Sequence, residues 1–223
     1  MKINTAKTNY MIFSRCQENF TTRLSINGDT IQRKKVVKIL GVWISEDAGD
    51  WSVNTSEICK NAYGRISMLS KLKYAGVSVE DLVEIYCLFV RSRAEYCSVA
   101  FGSSLTLEQK TKLSNIEKTS LRIILQEMYI GYFEACEMLG LTPLSERRNI
   151  RMLNFAKKCA KHPTNSRFFP QNPNQFVSPI VREREPFKVN FARTEAYKNS
   201  SIPTCQRLLN SHFSQRPEEQ ERN

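Results

Sequence analysis

The chain has 223 residues, a mass of 25.8 kDa and a formal net charge of +11. Hydrophobic residues make up 41% and charged residues 25%, which excludes collagen, low-complexity disorder and a bundle of membrane-spanning helices. The excess of lysine and arginine favours a polyanionic partner, nucleic acid first and an acidic membrane surface second. A basic protein whose charge serves only solubility is the alternative interpretation.

Targeting and cysteine patterns indicate the compartment. The N-terminal stretch lacks the unbroken apolar run of a secretory signal, and no segment approaches the roughly 20 apolar residues that span a bilayer. The seven cysteines are widely spaced without a C-x-x-C pair and accompany only two histidines. This pattern argues against a disulfide framework or a zinc site. We therefore expect a cytoplasmic or nuclear protein that is neither secreted nor inserted in a membrane.

The first fifth of the chain is rich in β-prone residues. A short run at residues 9–14 precedes two runs that flank Asn27 and Gly28. This pair tolerates the positive φ angles of a tight turn, so it predicts a hairpin. A third β-branched run at residues 36–45 predicts another strand.

Helical periodicity begins after the β-prone region. The apolar spacing predicts a long helix over residues 51–75, with Gly76 as its stop. Ser78 and Asp81 form a capping signature that opens a second helix rich in apolar residues.

Two further helices have clear start signals. Thr106 and Gln109 form a capping box before a third helix. Thr142 is predicted as the N-cap, and Pro143 as the first-turn residue, of a helix that runs to about Lys161.

Prolines interrupt the sequence after residue 163, which predicts an extended arm with one short helix at about residues 205–213 and a frayed polar tail. The predicted fold class is α+β, mainly α. Three regions are expected: a small N-terminal antiparallel β element at 1–48, a helical bundle at 49–162, and an extended Pro-containing C-terminal arm at 163–223.

Catalytic patterns are scarce. Two-metal nucleotidyl transfer needs carboxylates that share ions about 4 Å apart, but the four aspartates include no adjacent Asp-Asp pair and are spread over separate parts of the chain. Asp47 and Asp50 lie on one loop, where turn and N-cap roles are the favoured interpretation. His162 and His212 are the only histidines and lie beside loop or terminal features, which argues against either as a catalytic base. The sequence contains no Gly-rich phosphate loop and no hydrolase motif.

Basic residues form a stripe on the predicted helix after Pro143. At 100° per residue, four cations fall within about 80° of arc. They are Arg147, Arg151, Lys158 and Lys161. This face is a candidate for phosphate contacts, and the alternative is an ordinary solvated helix face.

Ordered motifs in the first half resemble reverse transcriptases of non-LTR (LINE-type) retrotransposons. Residues 2–8, Lys-Ile-Asn-Thr-Ala-Lys-Thr, and the strand after them resemble the segment that follows the catalytic loop in that family. Residues 24–28 and 37–44 are similar to the hairpin and the Leu-Gly primer-grip strand that close the palm. The helix that follows Trp51, and then residues 82–96, look like the helical thumb.

The resemblance continues over nearly the whole chain. Residues 103–106, 121–124, 141–144 and 207–210 are similar to the region beyond the thumb. The chain therefore resembles the C-terminal palm edge, thumb and post-thumb region of such an enzyme.

The resemblance implies an RNA-directed DNA polymerase family, but this chain departs from the family pattern. The family's metal-binding aspartates lie on the N-terminal side of the matched segment, so we expect no polymerisation by this chain alone. No cofactor or metal is predicted here, since Mg²⁺ would be expected only for a complete polymerase.

Residue roles are implied where the motifs match. Lys7 matches a lysine near the family's nucleotide site, and Leu40 and Gly41 match the turn that holds the primer end. The predicted helix at 51–75 matches the thumb helix that lies against the template and primer duplex. Its candidate phosphate contacts are Lys60, Arg65, Lys71 and Lys73.

Our leading hypothesis is a truncated reverse transcriptase fragment that retains sequence-tolerant binding to RNA or an RNA/DNA hybrid. Its apolar surface would contact the missing palm and fingers or another protein. The alternative hypothesis is a non-catalytic, basic helical protein-interaction module. A chain with no selected function is a third.

Overall fold

The computed structural model describes residues 3–14, 23–172 and 185–214. It confirms the predicted class, a mainly helical α+β fold with small antiparallel strand pairs near the N-terminus. The strands are β1 (Asn9–Tyr10), β2 (Ser25–Ile26), β3 (Asp29–Thr30), β4 (Gln32–Arg33), β5 (Val36–Ile39) and β6 (Val42–Ser45). Strands β2 and β3 pair antiparallel, as do β5 and β6, whereas β1 and β4 pair in parallel.

Two hairpins have turns with closely similar φ angles. Asn27 and Gly28 have φ angles of 51° and 89°, which confirms the predicted hairpin, and Leu40 and Gly41 have 46° and 89°. The single strand predicted over residues 36–45 is therefore wrong. Because two consecutive positive φ angles reverse the chain, this run folds into the β5–β6 hairpin.

The helices are α1 (Ser52–Tyr74), α2 (Val79–Ile85), α3 (Ser92–Glu95), α4 (Ser98–Phe101), α5 (Leu107–Leu125), α6 (Tyr132–Met138), α7 (Leu144–Lys161), α8 (Glu195–Lys198) and α9 (Ser201–Ser214). A π-helical segment, Tyr86–Arg91, joins α2 to α3, and short 3₁₀ turns cover Thr5–Lys7, Gln126–Met128 and Ser166–Phe168. In the part of the chain described, no helix is both long and apolar enough to cross a bilayer.

Most of the predicted helix limits are confirmed by the capping geometry. Gly76 follows α1 with a φ of 84°, a conformation that ends helices readily because glycine has no Cβ. The Ser78 hydroxyl accepts a hydrogen bond from the Asp81 amide at the start of α2. Thr106 and Gln109 form the complete capping box of α5.

The start of α7 differs from its prediction by one residue. Pro143, not Thr142, is the N-cap, and it has no side chain that can accept a hydrogen bond. The Leu144 amide instead donates to Glu117 Oε2 of α5 at 2.8 Å. A carboxylate distant in the sequence therefore caps this helix, in a place where negative charge is favourable.

Apolar side chains form three clusters. The largest joins α1, the α2–α3 segment and α5, and includes the fully buried Leu69, Tyr86, Phe101 and Leu113. A second cluster packs α7 against α9 through Met152, Ala156, Cys205 and Leu209, and a small third cluster joins α5 to α6. The C-terminal helix begins four residues earlier than predicted and contributes directly to a core, while the predicted polar tail lies outside the described residues.

Candidate nucleic-acid interface

The β5–β6 hairpin is held against the helices by two hydrogen bonds. The Trp43 amide donates to Asn54 Oδ1 on α1 at 3.1 Å. The Tyr96 hydroxyl, just beyond α3, donates to the Leu40 carbonyl at 2.7 Å. A Cβ on Gly41 would lie 3.2 Å from Tyr96 Cε1, so glycine permits this close approach. The turn that resembles a primer grip is thus fixed in position.

Leu40 is the most unusual residue of this turn. Its side chain is 87% exposed although its backbone has a positive φ, a conformation that is costly for a bulky L-residue. Neither burial nor backbone preference explains the leucine. Residues held in such conformations cluster at functional sites, which makes the turn a candidate contact point.

A pocket of about 330 Å³ lies where the hairpin meets α1 and Tyr96. Lys38 and Arg93 supply positive charge to its lining, and Trp43 supplies an aromatic ring. The Lys38 ammonium lies 5.4 Å from the centre of the Trp43 ring, a cation–π distance. Glu57 is an acidic lining residue.

The pocket also contains an amide donor that no described group satisfies. Asn54 is 3% exposed, and its Nδ2 has no hydrogen-bond partner among the described residues. Buried polar groups of native proteins are nearly always paired, with protein, water or a ligand. Asn54 therefore places a buried amide donor, unpaired among the described residues, at the wall of the pocket.

The four cations predicted on the thumb-like helix do not act as one set. Lys60 and Lys71 are exposed and about three turns apart on nearly the same side of α1. Arg65 is partly buried and donates to the Phe89 carbonyl. Lys73 is partly buried near the end of the helix. The arrangement leaves Lys60 and Lys71 best placed to meet phosphates.

The basic stripe predicted on α7 is divided in the same way. Arg147 binds Glu95 through two hydrogen bonds, Nε to Oε1 at 2.7 Å and Nη2 to Oε2 at 3.1 Å. Arg151 Nη2 lies 2.6 Å from Glu95 Oε2. Lys158 and Lys161, farther along the helix, are exposed.

Glu95 belongs to a buried ionic network that sequence reasoning missed. It is 2% exposed, and Arg91 Nε lies 3.6 Å from its Oε1. Glu117, which is fully buried, lies 3.8 Å from Arg91 Nη2. Buried charges persist when they are paired and hydrogen-bonded, and this network joins α3, α5 and α7. Arg91 and Glu95, four residues apart and therefore on the same side of a helix, were its signal in the sequence.

Two tyrosines complete the network. The Tyr86 hydroxyl donates to Glu117 Oε1 at 2.9 Å, and the Tyr132 hydroxyl donates to Glu117 Oε2. Burial and the Glu117 carboxylate both raise the tyrosine pKa values, so these hydroxyls keep their protons. Burial by itself raises the pKa of the Glu95 carboxyl. The hydrogen bond from Arg147 and the surrounding arginine charges outweigh burial and hold this pKa below its ordinary value.

Lys7 stands apart from these sites. It is an exposed residue at the end of the N-terminal 3₁₀ turn, where its amide donates to the Asn4 side chain at 3.2 Å. It is not among the residues that line the pocket. Within the described ranges, no group of three or more His, Cys, Asp or Glu residues is arranged to hold a metal ion.

The sequence identified part of this interface. Leu40 and Gly41 were predicted, but Asn54, Arg93 and Tyr96 were not, since their role depends on the approach of three separate elements. Comparisons with protein-family models, curated proteins and solved structures find no match to this chain.

Proposed function

We propose that this chain is a nucleic-acid-binding protein that corresponds to the palm edge, thumb and post-thumb region of a LINE-type reverse transcriptase. It binds RNA or an RNA/DNA hybrid without sequence preference, through the β5–β6 turn and the exposed lysines of α1. The proposal assigns binding, and no polymerisation, to these residues.

One observation carries the proposal: a strained, exposed turn lies beside a pocket lined by two cations and an aromatic ring. The pocket combines two cations, an aromatic ring and the Asn54 amide donor. Phosphates bind lysine and arginine, whereas unpaired bases and sugar edges bind aromatic faces and amides. This combination suits the end of a strand, where phosphate and base are both accessible.

Lys60 and Lys71 extend the positive surface along α1. Neither forms an ion pair with another described residue. Each phosphate contact releases counterions, so affinity should fall steeply as salt rises from about 50 to 200 mM.

The test is fluorescence anisotropy with a labelled RNA/DNA hybrid that carries a recessed end. The expected result is salt-sensitive binding that Lys38→Gln and Arg93→Gln each weaken several-fold. Lys110→Gln, which removes one exposed charge from α5 outside the pocket, is the matched control and should change affinity less. Affinity that is independent of salt, or equal losses in all three variants, would contradict the proposal.

A protein-interaction module is the second candidate function, and an apolar surface favours it. Met128, Ile130 and Phe133 are exposed within a few residues of one another, before and at the start of α6. Exposed apolar patches mark interaction sites. If this function is the correct one, purified protein should bind no hybrid, and concentration-dependent association should decrease in the double variant Ile130→Ser/Phe133→Ser.

A further inference from the structure

A second and larger cavity, of about 710 Å³, lies between α7, the segment after the Ser166–Phe168 turn, and α9. Its size falls within the range of small-molecule sites in proteins. It shares no lining residue with the pocket beside the hairpin.

Aromatic rings form one side of this cavity. Phe169 and Phe187 are buried, and both contribute to its lining. Phe213 lies with its ring centre 5.9 Å from that of Phe187, tilted by 44°. Three neighbouring aromatic side chains offer flat apolar surface on which a planar ring can stack.

Cations lie at the same cavity. Lys157, Lys161 and Arg167 contribute to the lining, and Lys161 and Arg167 are exposed. None of the described residues that line the cavity is acidic. Aromatic surface and positive charge therefore adjoin each other in the lining, which complements a ligand with a planar apolar part and an anionic part.

We propose that this cavity binds an unpaired nucleotide, with the base against the phenylalanines and the phosphate at Lys157, Lys161 and Arg167. Base stacking on aromatic side chains combined with phosphate contacts to cations is the general chemistry of single-strand binding. A fatty acid would also match the charge, but three aromatic rings favour a planar ligand over a flexible chain. The inference is independent of the hybrid-binding proposal because the two sites share no residue.

The first experiment titrates the full chain with AMP, adenosine, ribose 5-phosphate and octanoate, and follows ¹H–¹⁵N chemical shifts. The expected result is saturable AMP binding, with adenosine and ribose 5-phosphate each about tenfold weaker because each lacks one part of the interaction. Octanoate that binds as tightly as AMP would overturn the assignment, as would the absence of AMP binding.

Two pairs of variants locate the site. Lys161→Glu should weaken AMP binding about tenfold, whereas Lys158→Glu, an equal charge change at an exposed residue of the same helix outside the cavity, should change it little. Phe213→Ala should have a similar effect to Lys161→Glu, whereas Phe191→Ala, at an exposed phenylalanine outside the cavity, should have none. Equal effects within either pair would overturn the proposal, since they would indicate charge or folding rather than this site.

A final arm distinguishes a free nucleotide from a nucleotide within a strand. A labelled single-stranded RNA should be displaced by AMP if both occupy the cavity, and the RNA should bind more tightly because flanking phosphates add contacts. If AMP binds more tightly than the RNA, the ligand is a free nucleotide. RNA binding that is insensitive to both AMP and Phe213→Ala would exclude the cavity as a site for strands.

Discussion

Helices α1 and α7 both carry basic residues at helical spacing, yet their cations have different surroundings. On α7, Arg147 and Arg151 reach a buried carboxylate, Glu95, and join the helix to the core. On α1, Lys60 and Lys71 project from an exposed side of the helix and form no ion pair within the described residues.

The comparison separates structural charge from charge available for binding. A pattern of lysine and arginine on a helix identifies a face, but the partner of that face comes from another element. Glu95 converts half of the α7 stripe into part of the interior network. Among the described residues, no carboxylate pairs with Lys60 or Lys71, so these lysines keep their capacity to attract phosphates.

The largest effect is expected for Glu95→Gln, which removes the carboxylate that the α7 arginines share. Leaving buried Arg91 without this partner should lower the free energy of unfolding by about 3 kcal/mol or more. Urea denaturation measures the change. Glu108→Gln, which breaks an exposed ion pair with Lys112 on α5, is the control and should have little effect. Similar stability of both variants would remove the structural role assigned to Glu95.

The pH dependence tests the same network without removing its arginines. The folded-state pKa of Glu95 is lowered from its ordinary value of 4.5. Its contribution to stability is therefore fully present above about pH 4.5 and is lost as the pH falls through the lower, folded-state pKa. Urea titrations should show a constant stability gap between wild type and Glu95→Gln at higher pH, and a narrowing gap below about pH 4.5. A gap that widens with acid would refute the assigned sign.

The paired and the exposed cations of the α7 stripe should contribute differently to the free energy of unfolding. Arg147→Met is expected to cost about 2 kcal/mol because it removes two charge-assisted hydrogen bonds to Glu95. Lys158→Met removes an exposed charge from the same helix and should change stability little. Thermal denaturation measures the stability of the two variants. Equal melting temperatures would mean that Arg147 and Lys158 contribute equally to stability.

The α1 lysines should give the opposite result, with binding reduced and stability retained. The double variant Lys60→Gln/Lys71→Gln should weaken hybrid binding about tenfold and reduce the slope of log affinity against log salt by about 2. Anisotropy at several salt concentrations measures both quantities. Lys110→Gln/Lys188→Gln removes the same charge at two other exposed lysines. An equal loss of affinity in this control would show that net charge, and not the position of the α1 lysines, causes the effect.

The smallest effect is expected at the hairpin turn. Leu40→Asn should raise the free energy of unfolding by about 1 kcal/mol, since asparagine tolerates a positive φ better than leucine. The same substitution should weaken hybrid binding if the exposed leucine is kept for contact. Asn27→Leu, at the equivalent position of the other hairpin, should destabilise without changing affinity. A variant of Leu40 that gains stability and binds equally well would leave the strained leucine without a function.

Local signals account for what was predicted correctly. Asn27 and Gly28 determine their turn, Gly76 ends α1, and the Thr106 capping box opens α5, because each acts through neighbours only a few residues away. The α7 start was misplaced because its capping group, Glu117, belongs to another helix. Leu40 lacks the residue preference of a turn, so residue preferences predicted one strand at 36–45, although the family resemblance implied a turn at Leu40 and Gly41.

By itself the sequence determined the mainly helical class, several limits of the longer helices and the basic character of the chain, since these follow from local backbone preferences, periodicity and composition. The tertiary structure alone decided which cations are free to bind and which pair with Glu95. It also brought Asn54, Arg93 and Tyr96 together beside the hairpin. These outcomes depend on contacts between residues distant in the chain, and such contacts arise only when separate elements bury their apolar faces against one another.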